Sequence, residues 1–369
     1  MKLASILAAA ALTGLFVGCD ADVDGPDVAS AWVEVATTRF ASDGESELVT
    51  LPAQGQVAAL ALRVTTDPGV CFQLSALVDG GGATRVEGRS SGPFCRDCEL
   101  RFSVALESGV FVLPADAVAL AGEGVSLRFG QVDCETLTPL HDLDNRPPLR
   151  IDVQAIAAEH EIIDLRFLVA ADSILAGDSA RQQAILAALT DELASAGLTP
   201  RLVAVVDLDA PAEDIRFHAG DHAALADLVQ DVPARAESTI DVVFAGCLLY
   251  DDPIFGPARP LEGYTPRIPG GAGPADGVFM PGRDCLAIGP GQLDLPVEAQ
   301  AHVLAHELGH YLGLYHAVEA DGLLDQLDDT DANNIMHYRP GLATSLGFSS
   351  TQARVMQTHP AARSSGSPL

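Results

Sequence analysis

Three histidines, a glutamate and two glycines fall within eleven residues in HELGHYLGLYH, positions 306–316. His306 and His310 are four apart, so a helix stacks their imidazoles on one face, where one Zn2+ can take both. Glu307 sits beside the coordination position left open, suited to take a proton from water rather than to ligate. Gly313 can adopt a left-handed conformation, end the helix and turn the chain. That turn lets His316 swing back as a third ligand, whereas a continued helix would put His310 and His316 on different faces. Five specified residues at fixed spacing arise by chance in a chain this long on the order of once in ten thousand tries or fewer. His302 lies four before His306 and mimics a ligand pair, but the set is complete without it, so it reads as a supporting or packed residue.

The elements that must position these residues follow from pattern. PVEAQAHVLAHELGHYLGLYH (296–316) opens on Pro296, which suits the first turn of a helix. Upstream, IDLRFLVAA, RLVAVVDL and TIDVVFAGCLL alternate with helical patterns. In DSARQQAILAALTDELASAGL, Ile185, Leu189 and Leu193 recur at helical spacing, with Asp178 or Ser179 to cap the start and Gly197 to end it. Strand–helix–strand alternation argues for an α/β layer with a largely parallel sheet over residues 151–369. Residues 251–276 are rich in Pro and Gly and read as a surface loop, and DGVFMPGR (276–283) as a short strand. Residues 31–138 have another texture. Short alternating runs such as AWVEVATTRF, VAALALRV and ELRFSVAL, set between turn residues, predict an all-β sandwich-like domain. TLTPLHDLDNRPPL (136–149) supplies the connector, placed at 139–150.

Twenty residues beyond His316 comes NNIMHY, with Met336 and Tyr338. HExxHxxGxxH followed by such a methionine resembles the metzincin clan of zinc endopeptidases. DDT (328–330) and GFSSTQARVMQTHP (347–360), with Gln352 and Met356, look most like its pappalysin-like group. Astacins share IMHY but have Glu after the third histidine, where this chain has Ala317. The resemblance implies a zincin-type catalytic domain, α+β or α/β, with a mixed, mostly parallel sheet and an active-site helix. It implies Zn2+ on His306, His310 and His316, Glu307 as general base, and Met336 as an apolar floor beneath the metal. It also implies Tyr338 as an oxyanion donor, and a protein or peptide substrate laid along the strand near Val278–Met280. The competing class is a non-catalytic surface binding protein that retains the zinc site, but metal retention alone does not require Glu307. EADGLLDQLDDTD (319–331) offers Asp321, Asp325, Asp328 and Asp329 as candidate Ca2+ ligands on a loop.

The chain has 369 residues, 48% of them hydrophobic, with mean hydropathy +0.22, enough for two cores. Aromatics are 5%, so aliphatic side chains must do most of the packing. The net charge is −30 and Lys2 is the sole lysine, which excludes nucleic acid as a partner. Residues 1–18 read as a signal peptide. Its LFVGC ending resembles the lipobox of bacterial lipoproteins, which implies acylation of Cys19, a membrane anchor and a place in the cell envelope; a secreted form is the alternative. Residues 20–30 read as an acidic tether. With Cys19 lipidated, six cysteines remain for disulfides in an oxidising compartment. Cys247 and Cys285 are the two in the second domain and are expected to pair. Cys71, Cys95, Cys98 and Cys134 are expected to form two bridges, with three connectivities open.

Overall fold

The computed structural model describes residues 32–88, 100–171, 173–209, 214–218, 223–252, 256–273, 276–285, 296–327, 329–331, 333–340 and 347–365. The signal peptide, the tether, Cys19, Cys95, Cys98 and Asp328 lie outside them.

The N-terminal part is nine strands: β1 (Val33–Arg39), β2 (Val49–Leu51), β3 (Ala59–Thr65), β4 (Cys71–Val78), β5 (Thr84–Glu87), β6 (Ala105–Leu106), β7 (Ser108–Pro114), β8 (Val125–Val132) and β9 (Pro148–Ile156). They form one hydrogen-bonded path, β1-β9-β3-β7-β6-β4-β8-β2, with β5 added to β4. The two-residue β6 links the β1-β9-β3-β7 half of this path to the β4-β8-β2 half. Phe72 and Phe129 from one half then meet Phe111 from the other, at ring-centroid distances of 6.4 and 5.3 Å. The sandwich-like core is therefore one sheet rather than two. Cys71 at the start of β4 is bonded to Cys134, just past the end of β8.

The boundary also differs from the sequence reading. β9 pairs with β1 through Val153 and with β3 through Ile156, so residues 148–150 are strand rather than connector, and 151–156 belong to the first sheet. β9 is inserted between β1 and β3 and completes that half, a long-range pairing that its alternation alone does not specify.

The second part holds β10 (Ile162–Ala170), α1 (Ser179–Leu193), β11 (Thr199–Leu208), β12 (Ile215–Phe217), α2 (Ala223–Val229), β13 (Thr239–Ala245), β14 (Leu248–Asp252), β15 (Gly256–Leu261), β16 (Val278–Pro281), α3 (Val297–Tyr311), α4 (Ser350–Gln357) and β17 (Ala362–Arg363). β11-β10-β13-β16 run parallel, and β17 pairs antiparallel with the start of β10. Alternation in β10 sorts its side chains between two cores. Ile163, Leu165, Phe167 and Val169 join α1 and α3, while Leu168 joins Val243, Phe279 and the α2 side. Ile185, Leu189 and Leu193 of α1 are fully buried against the first of these, each worth roughly 1.5–3 kcal/mol. α3 packs on α1 and β16, so the metal-binding stretch rides on a helix buried on nearly every side.

β14, flanked by β12 and β15, makes a small second sheet. Beyond β15 the chain returns to β16. Tyr264 and Phe279 exchange both backbone hydrogen bonds at 2.9 Å. The side of β16 facing away from β13 is thus already paired at Phe279. An extended substrate cannot lie directly along Val278–Met280, contrary to the sequence reading.

Candidate metal centre

α3 ends as its sequence requires. Gly313 has φ 107°, and its amide donates to His310 O at 3.0 Å while Leu314 N donates to Gly309 O at 2.8 Å. This paired closure is the Schellman arrangement, in which the residue past the cap leaves the right-handed region. The chain reverses, and His316 returns towards the two helical histidines. The ligand-capable atoms of His306, His310 and His316 all lie within 4.8 Å of one another, the one such group among the described residues. Ring centroids are 4.7 Å apart for His306–His310 and His310–His316, and 5.4 Å for His306–His316.

Each imidazole has one nitrogen already engaged. His306 Nδ1 faces Ile335 O at 2.8 Å, His310 Nδ1 faces Leu314 O at 2.7 Å, and His316 Nδ1 faces Glu319 Oε2 at 3.0 Å. All three partners only accept, so each Nδ1 carries a proton and Nε2 is the nitrogen left to face a metal. Burial, helped by the neighbouring His316, pushes His306 down to about 3. Burial, then His306 and His316, holds His310 well below its ordinary value. Both are neutral at pH 7. Three convergent imidazole nitrogens suit Zn2+.

Glu307 is buried, and its Oε2 accepts from Thr265 Oγ1 at 2.8 Å. Burial pushes its carboxyl up to about 8; the Thr265 hydroxyl works against that and Glu262 adds to it. A divalent cation among the histidines would act in the opposite sense and favour the carboxylate.

Met336 is fully buried beneath α3, where a Cβ at Gly309 would come within 2.5 Å of its Sδ. Only glycine lets the helix settle that closely on the methionine. Asn334 Oδ1 accepts from Met336 N at 2.9 Å, and Asn334 Nδ2 donates to Gln352 Oε1 at 2.9 Å. Gln352 also closes the capping box of α4 with Ser349. Tyr338 is half-buried, its ring stacked on His337 and lying under Arg339. Its amide donates to Val318 O at 3.3 Å, which places it beside the segment that carries the chain on from His316.

Sequence reasoning missed Glu319, Thr265, Gly309 and Asn334. Glu319, three residues past His316, had a local signal. Thr265 is forty-two residues before Glu307 and had none. His302 faces Glu192 Oε2 at 3.1 Å and Pro340 O at 3.2 Å and is not one of the three clustered histidines.

Three of the four candidate Ca2+ ligands are engaged by protein groups. The Asp325 side chain is 1% exposed and pairs with Arg101 at 2.5 Å. Asp329 accepts from Ser349 Oγ, Ser350 Oγ and Thr351 N at the start of α4. Burial opposes its charge, but these donors prevail and hold it at about 2. Asp321 accepts from Leu323 N in a local turn. These three carboxylates serve different partners, and none of them belongs to a candidate metal-binding group among the described residues, outside which Asp328 lies. Cys247 and Cys285 are joined across the loops that follow β13 and β16.

No family model matches the chain, and no curated protein does. Among solved structures, archaemetzincin from Methanopyrus kandleri is similar at 18% identity and TM-score 0.29, over 54% of this chain and 87% of that one. Metalloproteinase-II from Bacteroides fragilis is similar at 13% identity and TM-score 0.34, over 55% of this chain and 54% of that one. At scores this low neither likeness bears on fold or function, which rest on the site itself.

Proposed function

We propose that this chain is a zinc-dependent endopeptidase of metzincin type. One observation carries the reading: three imidazoles converge with every Nδ1 spent on an acceptor, beside a buried glutamate that is not among the ligands. His306, His310 and His316 would hold Zn2+. When bound, the ion supplies a Lewis acid that polarises a carbonyl and lowers the pKa of water towards about 7. Glu307 takes the proton from the attacking water and returns it to the leaving amine. Thr265 holds one of its carboxylate oxygens and leaves the other for that exchange. Tyr338 donates to the developing oxyanion. A substrate strand adds outside the Tyr264 segment, since that segment covers β16.

The disulfides Cys71–Cys134 and Cys247–Cys285 support a location outside the cytoplasm. No helix among the described residues is long and apolar enough to cross a membrane. The lipid anchor on Cys19 belongs to the same proposal, and Cys19→Ser should move the protein from the membrane to the soluble fraction.

The test is metal content beside casein or peptide cleavage. Glu307→Gln should keep zinc near one per chain and lose about 10²–10⁴-fold in rate. His316→Ala should lose zinc itself, and Tyr338→Phe should keep zinc and lose up to about 10²–10³-fold. Full cleavage by Glu307→Gln, or wild-type cleavage untouched by a chelator, defeats the proposal.

A further inference from the structure

Of the three histidines, His316 alone is carried on a loop rather than on α3, and it is the least buried, its side chain 26% exposed. Both of its neighbours in sequence are tied down. Ala317 N donates to Met336 O at 2.7 Å, and Ala317 O accepts from Asp325 N at 3.0 Å. The Tyr315 hydroxyl donates to Phe102 O at 2.6 Å and accepts from Phe102 N at 2.7 Å. Phe102 belongs to the N-terminal β domain, 213 residues away in the chain.

Its neighbour Arg101 completes the grip. The side chain is 1% exposed, and the guanidinium lies over the Tyr315 ring at 4.8 Å. Nη1 donates to Asp325 Oδ1 at 2.5 Å, and that carboxylate is also 1% exposed. One dipeptide of the β domain thus holds Tyr315 directly and reaches the Ala317 side through Asp325. A buried ion pair is a weak source of net stability, because desolvation offsets its attraction, and an apolar pair of similar volume would often do as well. What the charged pair adds is direction. Arg101 Nη1 meets Asp325 Oδ1 directly, and the guanidinium that makes this bond also lies over the Tyr315 ring, beside the backbone that leads into His316.

We infer that Arg101 and Phe102 make the β domain a positioning element for the third metal ligand, so that the complete metal site forms only with that domain docked. The inference rests on the metal-site reading above. It assigns a role to a domain in which nothing looks catalytic.

The test uses the full chain with Zn2+ and Co2+ as probes. Variants are Arg101→Met, Arg101→Lys and Tyr315→Phe. The control is Arg354→Met, which breaks an exposed pair with Asp116 at the same domain interface. Zn2+ affinity is read by chelator competition, and ligand geometry by the visible spectrum of the Co2+-loaded protein. Arg101→Met and Tyr315→Phe should weaken Zn2+ about tenfold, the low end for residues that orient a ligand, and shift the Co2+ bands. Arg101→Lys should recover part of both, and Arg354→Met should change neither. Should Arg101→Met fail to fold, Tyr315→Phe decides, because it keeps the ring and removes only the hydroxyl. Folded variants with wild-type affinity and spectrum overturn the inference and leave the metal site standing. A wild type that binds neither ion overturns the site and the inference together.

Discussion

Gly313→Ala tests the geometry of the centre most sharply, because it adds one methyl group and touches no ligand. With φ at 107°, Gly313 lies in a region that L side chains rarely enter, at a cost of about 1–3 kcal/mol. The new Cβ would stand 3.3 Å from Val355 Cγ1, 3.6 Å from Pro269 Cγ and 3.8 Å from Arg101 Cβ. The space is tight but not closed, so backbone strain dominates and the expected loss is about 2 kcal/mol, or about 4–8 °C in melting temperature. Alanine also favours continued helix over glycine by about 1 kcal/mol. Each helical residue turns about 100°, so six further residues would carry His316 about 240° around the axis from His310. The fraction of molecules that yields to this loses its third ligand. The assay is urea unfolding beside Zn2+ affinity by chelator competition. Unchanged stability would show that the left-handed turn is not needed here. Lost stability with unchanged Zn2+ affinity would show that His316 is held by something other than that turn.

Two further outcomes are expected. The hydrogen bond to Glu192, opposed by burial and aided by the charges of Glu192 and Glu262, raises the pKa of His302 above its ordinary 6.5. Its contribution is therefore complete below pH 6.5 and is lost as pH rises through the higher folded value; the stability gap between wild type and His302→Gln should close over that window, and a gap constant from pH 6 to 9 would contradict the ion pair. Glu319→Ala frees the Nδ1 of His316 to turn, so Zn2+ affinity should fall about 10–100-fold with no change in the unfolding midpoint of the metal-free protein, measured by competition and by urea titration.

Much of the centre was legible before any fold was known, because its core is local. Residues four apart on a helix share a face whatever surrounds it, so the His306–His310 pair with Glu307 between them needs only helical geometry. Gly313 is likewise a local signal, since few other residues accept the conformation that ends α3. Cys247 with Cys285 follows from counting within one half of the chain. The rest depends on contacts that no window of sequence contains. The alternation of β9 reads as strand in either domain, and only the opening between β1 and β3 decides that it completes the first sheet. Asp325 looked like one oxygen among several in an acidic run until Arg101, 224 residues distant, took its carboxylate. Phe279 looked like an open strand edge until Tyr264 paired with it. Short-range patterns are dictated by backbone periodicity and the shape of single residues. Which buried donor meets which acceptor is settled only when the whole chain has packed, since every such pair must be satisfied at once.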